Sequence, residues 1–289
     1  MRRIRDLYGG DKAVWTFEVY PPKSEQGLEP LYSVVAAFRK HHPGFISVTY
    51  GAGGGTRDLS LRIAADVVKR FGLPVTSHLT CVGSTVSQLR EWLREAKEFG
   101  VSNIMALRGD PPAGQATFTA VEGGLPHAVD LVRMLREEFP EFGVGVAGYP
   151  ETHQEATSPE DDLRHLRDKV AAGGEAVFTQ LFYDNDDFFR FRDQCRKQYR
   201  IDRPIVPGLL PILSLSQVKR ITSLCKACLP NKLVDALEQL KDDPEGQISL
   251  GIAHCRQQVE GLLKAGVPGV HFYVLNRADT IERILEGIA

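Results

Sequence analysis

The 289-residue chain is 43% hydrophobic and 25% charged, an ordinary globular composition that excludes a disordered or fibrous polymer. Its formal net charge of −2 leaves no basic field for nucleic acid. No apolar run approaches the ~20 residues of a membrane-crossing helix, and the basic start MRRIRDLYGGDK has no apolar stretch behind it, so no membrane or export segment is expected and the expected location is cytoplasmic.

Along the chain, short β-rich runs alternate with amphipathic stretches. The first run is VWTFEVY from Val14, followed by GFISVTY from Gly44. The stretch TRDLSLRIAADVVKRFG then reads as a helix, with Thr56 as its cap, Leu61, Ala64, Ala65 and Val68 as its apolar stripe and Gly72 as its stop. PVTSHLT from Pro74 is the third run, and STVSQLREWLREAKEFG after it predicts a helix capped by Ser84 and closed by Gly100. SNIMALR from Ser102 and FGVGVAGY from Phe142 are the fourth and fifth runs. The helix SPEDDLRHLRDKVAAGG follows, with Leu163, Leu166 and Val170 on one side and Asp162, His165 and Lys169 on another. AVFTQLFYD from Ala176, PIVPGLLPI from Pro204 and GVHFYVLN from Gly269 complete a set of eight, and LPNKLVDALEQLKDDPEGQ between the last two predicts an extra helix.

Eight strand–helix units with no Pro/Gly/Ser-rich linker predict an α/β fold, one closed parallel (β/α)8 TIM barrel spanning residues 1–289. The five cysteines are scattered and odd in number, which predicts free thiols, and the C-x-x-C of Cys225 and Cys228 lacks a second ligand pair, so no metal site is expected.

A barrel of this kind places its chemistry at the carboxyl ends of its strands. Those ends carry Glu18, Thr49 with Tyr50, His78 with Thr80, Arg108 with Asp110, Tyr149, Gln180 with Asp184, and Asn276 with Arg277. Glu18 is an acid on an otherwise apolar strand. Lost hydration there would raise its pKa and suit it to proton donation, whereas a rim arginine would make it a structural ion pair. Asp110 and Glu18 on one rim are two acids in different surroundings, candidates for two roles. The glycine-rich YGAGGGTRD, Tyr50 to Asp58, matches neither a phosphate loop nor a dinucleotide fingerprint; it is a flexible turn or a close-approach surface for a bulky ligand. Lys169 and Asp162 could hold a phosphate and a ribose if their helix face turns to the rim. No strand run contains the lysine that a Schiff-base aldolase requires.

FEVYPPK, SVTYGAGG, HLTC, IMALRGDPP, VAGYPETH, DDLRHLRDKV, FTQLFYD, IVPGLLPI and HFYVLNR, in this order from about Thr16 to Arg277, resemble the catalytic domain of the 5,10-methylenetetrahydrofolate reductase family. The resemblance implies a barrel that holds FAD without a Rossmann domain. It also implies a hydride relay from NADH or NADPH through the flavin to 5,10-methylenetetrahydrofolate, giving 5-methyltetrahydrofolate. By the same resemblance Glu18 is the acid that protonates the folate's leaving nitrogen, Asp110 tunes the flavin and binds the pterin, and Gln180 binds folate. Thr49, His78, Arg108, Gly109, Tyr149, His153, Asp162, His165 and Lys169 match FAD-contacting positions, and Arg277 falls at the folate end. Leu215 stands where many relatives carry a stacking aromatic, which leaves open a partner redox protein as electron donor. A folate-binding barrel without catalysis is the remaining alternative. Relatives associate, so a homo-oligomer is expected, and no regulatory domain is expected after the eighth helix.

Overall fold

In the computed structural model, eight parallel strands close into one barrel in sequence order: β1 Val14–Val19, β2 Phe45–Val48, β3 Val75–Thr80, β4 Asn103–Leu107, β5 Gly143–Gly148, β6 Ala176–Leu181, β7 Ile205–Leu209 and β8 Gly269–Tyr273. Residues 2–49, 57–111, 114 and 117–288 are described. The helices are α1 Leu28–Phe38, α2 Arg57–Phe71, α3 Val86–Glu98, α4 Ala128–Glu138, α5 Pro159–Ala171, α6 Asn185–Lys197, α7 Leu215–Cys225, α8 Asn231–Gln239, α9 Pro244–Lys264 and α10 Ala278–Leu285. The expected extra helix is α8, inserted between α7 and α9. All five cysteines are free, and among the described residues no helix is long and apolar enough to cross a membrane.

Strand alternation divides the interior in two. Phe17 and Val19 of β1 point outward into the layer beneath the helices, where the Phe17 ring stacks on Phe38 of α1 at 4.2 Å between centroids. Thr16 and Glu18 point inward instead, opposite His271 and Tyr273 of β8 in the β1–β8 register. The amino-terminal end of the barrel is sealed by residues 2–8. Ile4 and Leu7 are buried against Phe45, Met105, Phe178 and Val206, the Ile4 amide donates to Asn103 Oδ1 at 2.8 Å, and the Arg5 amide donates to Glu175 Oε2 at 3.3 Å.

Two sequence expectations need correction. Helix α3 is capped by Thr85 rather than Ser84: the Thr85 hydroxyl accepts from the Gln88 amide, and the Gln88 side chain accepts from the Thr85 amide. Only Thr85 lies three residues before Gln88, the spacing a capping box requires. On α2 the fully buried apolar residues are Leu61, Ile63, Ala64 and Val67, while Ala65 and Val68 are half-buried. The apolar residues of IAADVV are nearly consecutive, so more than one stripe fits the helical period, and packing against the sheet chooses between them. Gly72 and Gly100 do stop their helices in the left-handed region, at φ 65° and 80°. Tyr50 to Thr56, with the proposed Thr56 cap, lie outside the described residues.

Candidate active site

The strand carboxyl ends surround a cavity of about 470 Å³, within the usual range for small-molecule sites. Its lining combines apolar side chains (Met105, Leu107, Phe178, Leu210, Ile221 and Leu275) with a polar set drawn from six strands or the loops after them. Glu18, His78, Arg108, Gly109, Asp110, Tyr149, His153 and Gln180 of the expected residues all border it.

Glu18 sits on the cavity floor between two imidazoles. His78 Nε2 lies 3.1 Å and His271 Nε2 3.3 Å from the same oxygen, Oε2, which leaves Oε1 for a ligand. Burial alone pushes this carboxyl up. The charge of His78 and hydrogen bonds from both rings act against it and bring it down to about 2 from its ordinary 4.5. The expected rise is therefore reversed, and the expected arginine partner is replaced by histidines: the carboxyl is buried but not isolated. His78 Nε2 also lies 3.1 Å from Ser47 Oγ. His271 Nδ1 lies 2.8 Å from the Thr16 hydroxyl.

Strand β4 ends in a turn that only glycine fits comfortably. Gly109 has φ +88°, and a Cβ there would lie 2.7 Å from Val82 Cγ1. The turn leads to Asp110, which is exposed at the cavity edge. Arg108 is clamped by Glu155 through two bonds of 2.6 and 2.9 Å, donates to the Gly109 carbonyl at 3.1 Å, and lies over the Phe118 ring. The strand thus stops on a cation with a fixed direction and an anion facing the opening.

After β5 the chain turns through Thr152, at φ 73°. The His153 amide donates to Asp162 Oδ2 at 3.0 Å, and the Glu155 amide donates to His153 Nδ1 at 3.1 Å. A backbone amide can only donate, so Nδ1 is the acceptor and a neutral His153 carries its hydrogen on Nε2. Helix α5 turns Asp162 and Lys169 inward and leaves His165 exposed to solvent. Lys169 Nζ donates to the Ala147 carbonyl at 2.7 Å. Burial brings this amine down to about 8 from 10.5, with Asp162 opposing. Burial likewise pushes Asp162 up, against the His153 amide and Lys169.

Gln180 turns its Oε1 back onto the Leu181 amide at 2.9 Å, and Tyr273 donates to the Thr179 carbonyl at 2.7 Å. Besides Asp162, His165 and Lys169, three more expected residues stand off the cavity lining. Leu215, the first residue of α7, packs against a separate apolar cluster with its amide held by Gln247. Arg277 is paired with Asp279 at 2.8 Å, and the Thr49 backbone donates to the Val19 carbonyl and accepts from the Ser60 hydroxyl.

A match to the methylenetetrahydrofolate reductase family covers residues 3–289, the barrel and every cavity-lining position. The chain belongs to that family. The 5,10-methylenetetrahydrofolate reductase of Pectobacterium carotovorum is 38% identical over 266 residues, 91% of this chain and 86% of that protein. A rice protein named as a probable NADH-dependent methylenetetrahydrofolate reductase is 38% identical over 295 residues, 99% of this chain but 50% of its own length. The chain therefore spans about half the length of such plant relatives. Among solved structures, a Clostridium thermocellum protein that binds two copies of 5-methyl-5,6,7,8-tetrahydrofolic acid superposes with a TM-score of 0.66 at 18% identity, covering 96% of this chain and 93% of that one. At that identity the likeness is one of fold.

The motifs carrying the family resemblance lie at the strand ends, yet two polar cavity residues escaped sequence reasoning, His271 and Tyr273. The signal was present: in GVHFY the period of two puts both on the face of β8 that must look into the barrel, where a histidine needs a partner.

Proposed function

We propose that this chain reduces 5,10-methylenetetrahydrofolate to 5-methyltetrahydrofolate with FAD as cofactor and NADH or NADPH as electron source. The observation that carries the reading is Glu18, a carboxyl on the floor of the cavity with two histidines set against one of its oxygens. When bound, FAD supplies the two-electron hydride relay between nicotinamide and folate.

The residues present fit such a cofactor. Lys169 is a buried amine whose pKa burial lowers, and a pyrophosphate beside it would raise it again. Arg108 and the Nε2 of His153 are further donors on the same side, and Tyr149 packs edge-on to His153. Met105, Leu107, Ala147 and Phe178 offer apolar contact to a flat ring system, while Gly109 and Asp110 border a polar edge. Asp162, through the His153 amide, fixes that loop. Thr49 and His78 complete the set proposed for FAD.

Toward the folate, Gln180 presents an amide, which can serve both a donor and an acceptor on a pterin. Glu18 protonates the nitrogen that leaves as the five-membered ring opens, and a positioned acid of this kind accelerates a step by about a hundredfold to ten-thousandfold. Arg277 lies on the rim where an anionic tail would emerge. A cytoplasmic homo-oligomer is the proposed working form.

Glu18→Gln tests the reading. Reduction of bound flavin by NADH or NADPH should persist within a fewfold, while transfer to methylenetetrahydrofolate falls by at least a hundredfold in stopped-flow traces. Equal loss of both half-reactions would remove Glu18 from the acid role.

A further inference from the structure

Beside the cavity the ladder between β6 and β7 slips by one residue. Phe178 faces Val206 and Leu181 faces Gly208, so Thr179 and Gln180 together stand against Pro207 alone. Such a bulge leaves its extra residue out of the ladder and re-aims the side chains around it. Gln180 and Leu181, neighbours in sequence, accordingly both border the cavity, which strict alternation would forbid. Three hydrogen bonds pin the bulge. The Tyr273 hydroxyl, from β8, donates to the Thr179 carbonyl at 2.7 Å, and the Gly208 amide donates to the Thr179 hydroxyl at 2.9 Å. The Leu181 amide donates to Gln180 Oε1 at 2.9 Å, which sets the direction of that side-chain amide. Tyr273 reaches β6 across β7 because the strand between them carries a glycine at the crossing: a Cβ on Gly208 would lie 2.8 Å from Tyr273 Cε2 and against the Thr179 carbonyl oxygen. Burial, and after it the charge of Glu18, pushes the phenol well above its ordinary 10, so it keeps a hydrogen to give.

We propose that Tyr273 is a positioning residue: its hydroxyl holds the β6 bulge at the Thr179 carbonyl and thereby sets Gln180 for the folate. The inference rests on the reading above in which Gln180 binds the pterin. A bulge that slid by one residue would exchange the side chains facing the cavity, and a buried carbonyl without its donor would favour such a slide. Phenylalanine keeps the ring, and with it the edge contact to His271 at 5.1 Å, so Tyr273→Phe removes the pin alone.

The test is a double-mutant cycle of wild type, Tyr273→Phe, Gln180→Ala and the pair, read as the Kd of the FAD-loaded protein for 5-methyltetrahydrofolate in titration calorimetry. Hydrogen exchange of the Ala176–Tyr183 peptide in the folate-free protein runs alongside. Tyr273→Phe should weaken binding about threefold to tenfold, the worth of one hydrogen bond. Once Gln180 is alanine the same change should cost less than about twofold, because the tyrosine acts through it. The β6 peptide should exchange faster in Tyr273→Phe. An equal loss of affinity in both backgrounds would mean that Tyr273 acts on the folate directly and would overturn the proposal, as would unchanged exchange or unchanged binding. A loss of global stability alone lowers Tm in both backgrounds and produces no such coupling. If Tyr273→Phe does not fold, Thr179→Val, which releases the Gly208 amide on the other side of the bulge, should show the same coupling to Gln180, and its absence would overturn the proposal too. A wild type that binds no folate, or a Gln180→Ala protein that binds it unimpaired, overturns the functional reading of Gln180 and the step from bulge to folate with it, a result separate from the exchange of the β6 peptide.

Discussion

Lys169 shows what burial does to a single charge. Its folded pKa of about 8 lies below the unfolded 10.5, so between those values the unfolded chain binds more protons and stability rises with pH; below 8 the full penalty applies. Lys169→Met should therefore stabilise the FAD-free protein at pH 7 by about 1–3 kcal/mol and weaken FAD binding at least tenfold. Thermal melts at pH 7 and pH 10 check the sign: the advantage of the variant should shrink at the higher pH, and a constant difference would mean that burial of the amine is not its source. Glu18 has the opposite history. Its place at the mouth was legible in FEVYPPK, but its electrostatics were not, because the two histidines that lower it are contributed by β3 and β8, about 60 and 253 residues away in the chain.

At the scale of elements, all eight strands were readable, because period-two runs bounded by Gly and Pro seldom have another solution in a chain of this length. Helix faces were less so, as α2 shows, and the face of α5 was half right: Asp162 and Lys169 turn inward while His165 does not. Residues three apart on a helix differ by about 60° once the turn is complete, enough to separate a buried side chain from an exposed one. The placement of α9 depended on a contact that no local pattern announces. A Cβ on Gly251 would lie 2.0 Å from the Ile212 carbonyl oxygen, backbone that cannot yield cheaply. Gly251→Ala should force α9 away from the loop after β7, costing about 1–3 kcal/mol and lowering Tm by roughly 3–10 °C. Differential scanning calorimetry measures this, and an unchanged Tm would show that the helix slides freely.

The whole molecule divides its labour between two ends, as closed barrels do: the carboxyl end carries the cavity and the amino end the seal. Ile4, fully buried below Phe45, Met105 and Phe178, belongs to the seal alone. Ile4→Ala should cost about 2–4 kcal/mol, while kcat/KM well below Tm changes less than twofold; a large kinetic effect would mean that the two ends are coupled. The claim on which the account rests is that the cavity holds a flavin serving nicotinamide and folate in turn. Its most direct test is the visible spectrum of the FAD-loaded protein under anaerobic conditions, first with NADH or NADPH and then with methylenetetrahydrofolate. The account predicts a flavin band that bleaches with a nicotinamide and returns with the folate; a flavin that binds but stays oxidised with both nicotinamides, or a protein that takes up no flavin, would contradict it.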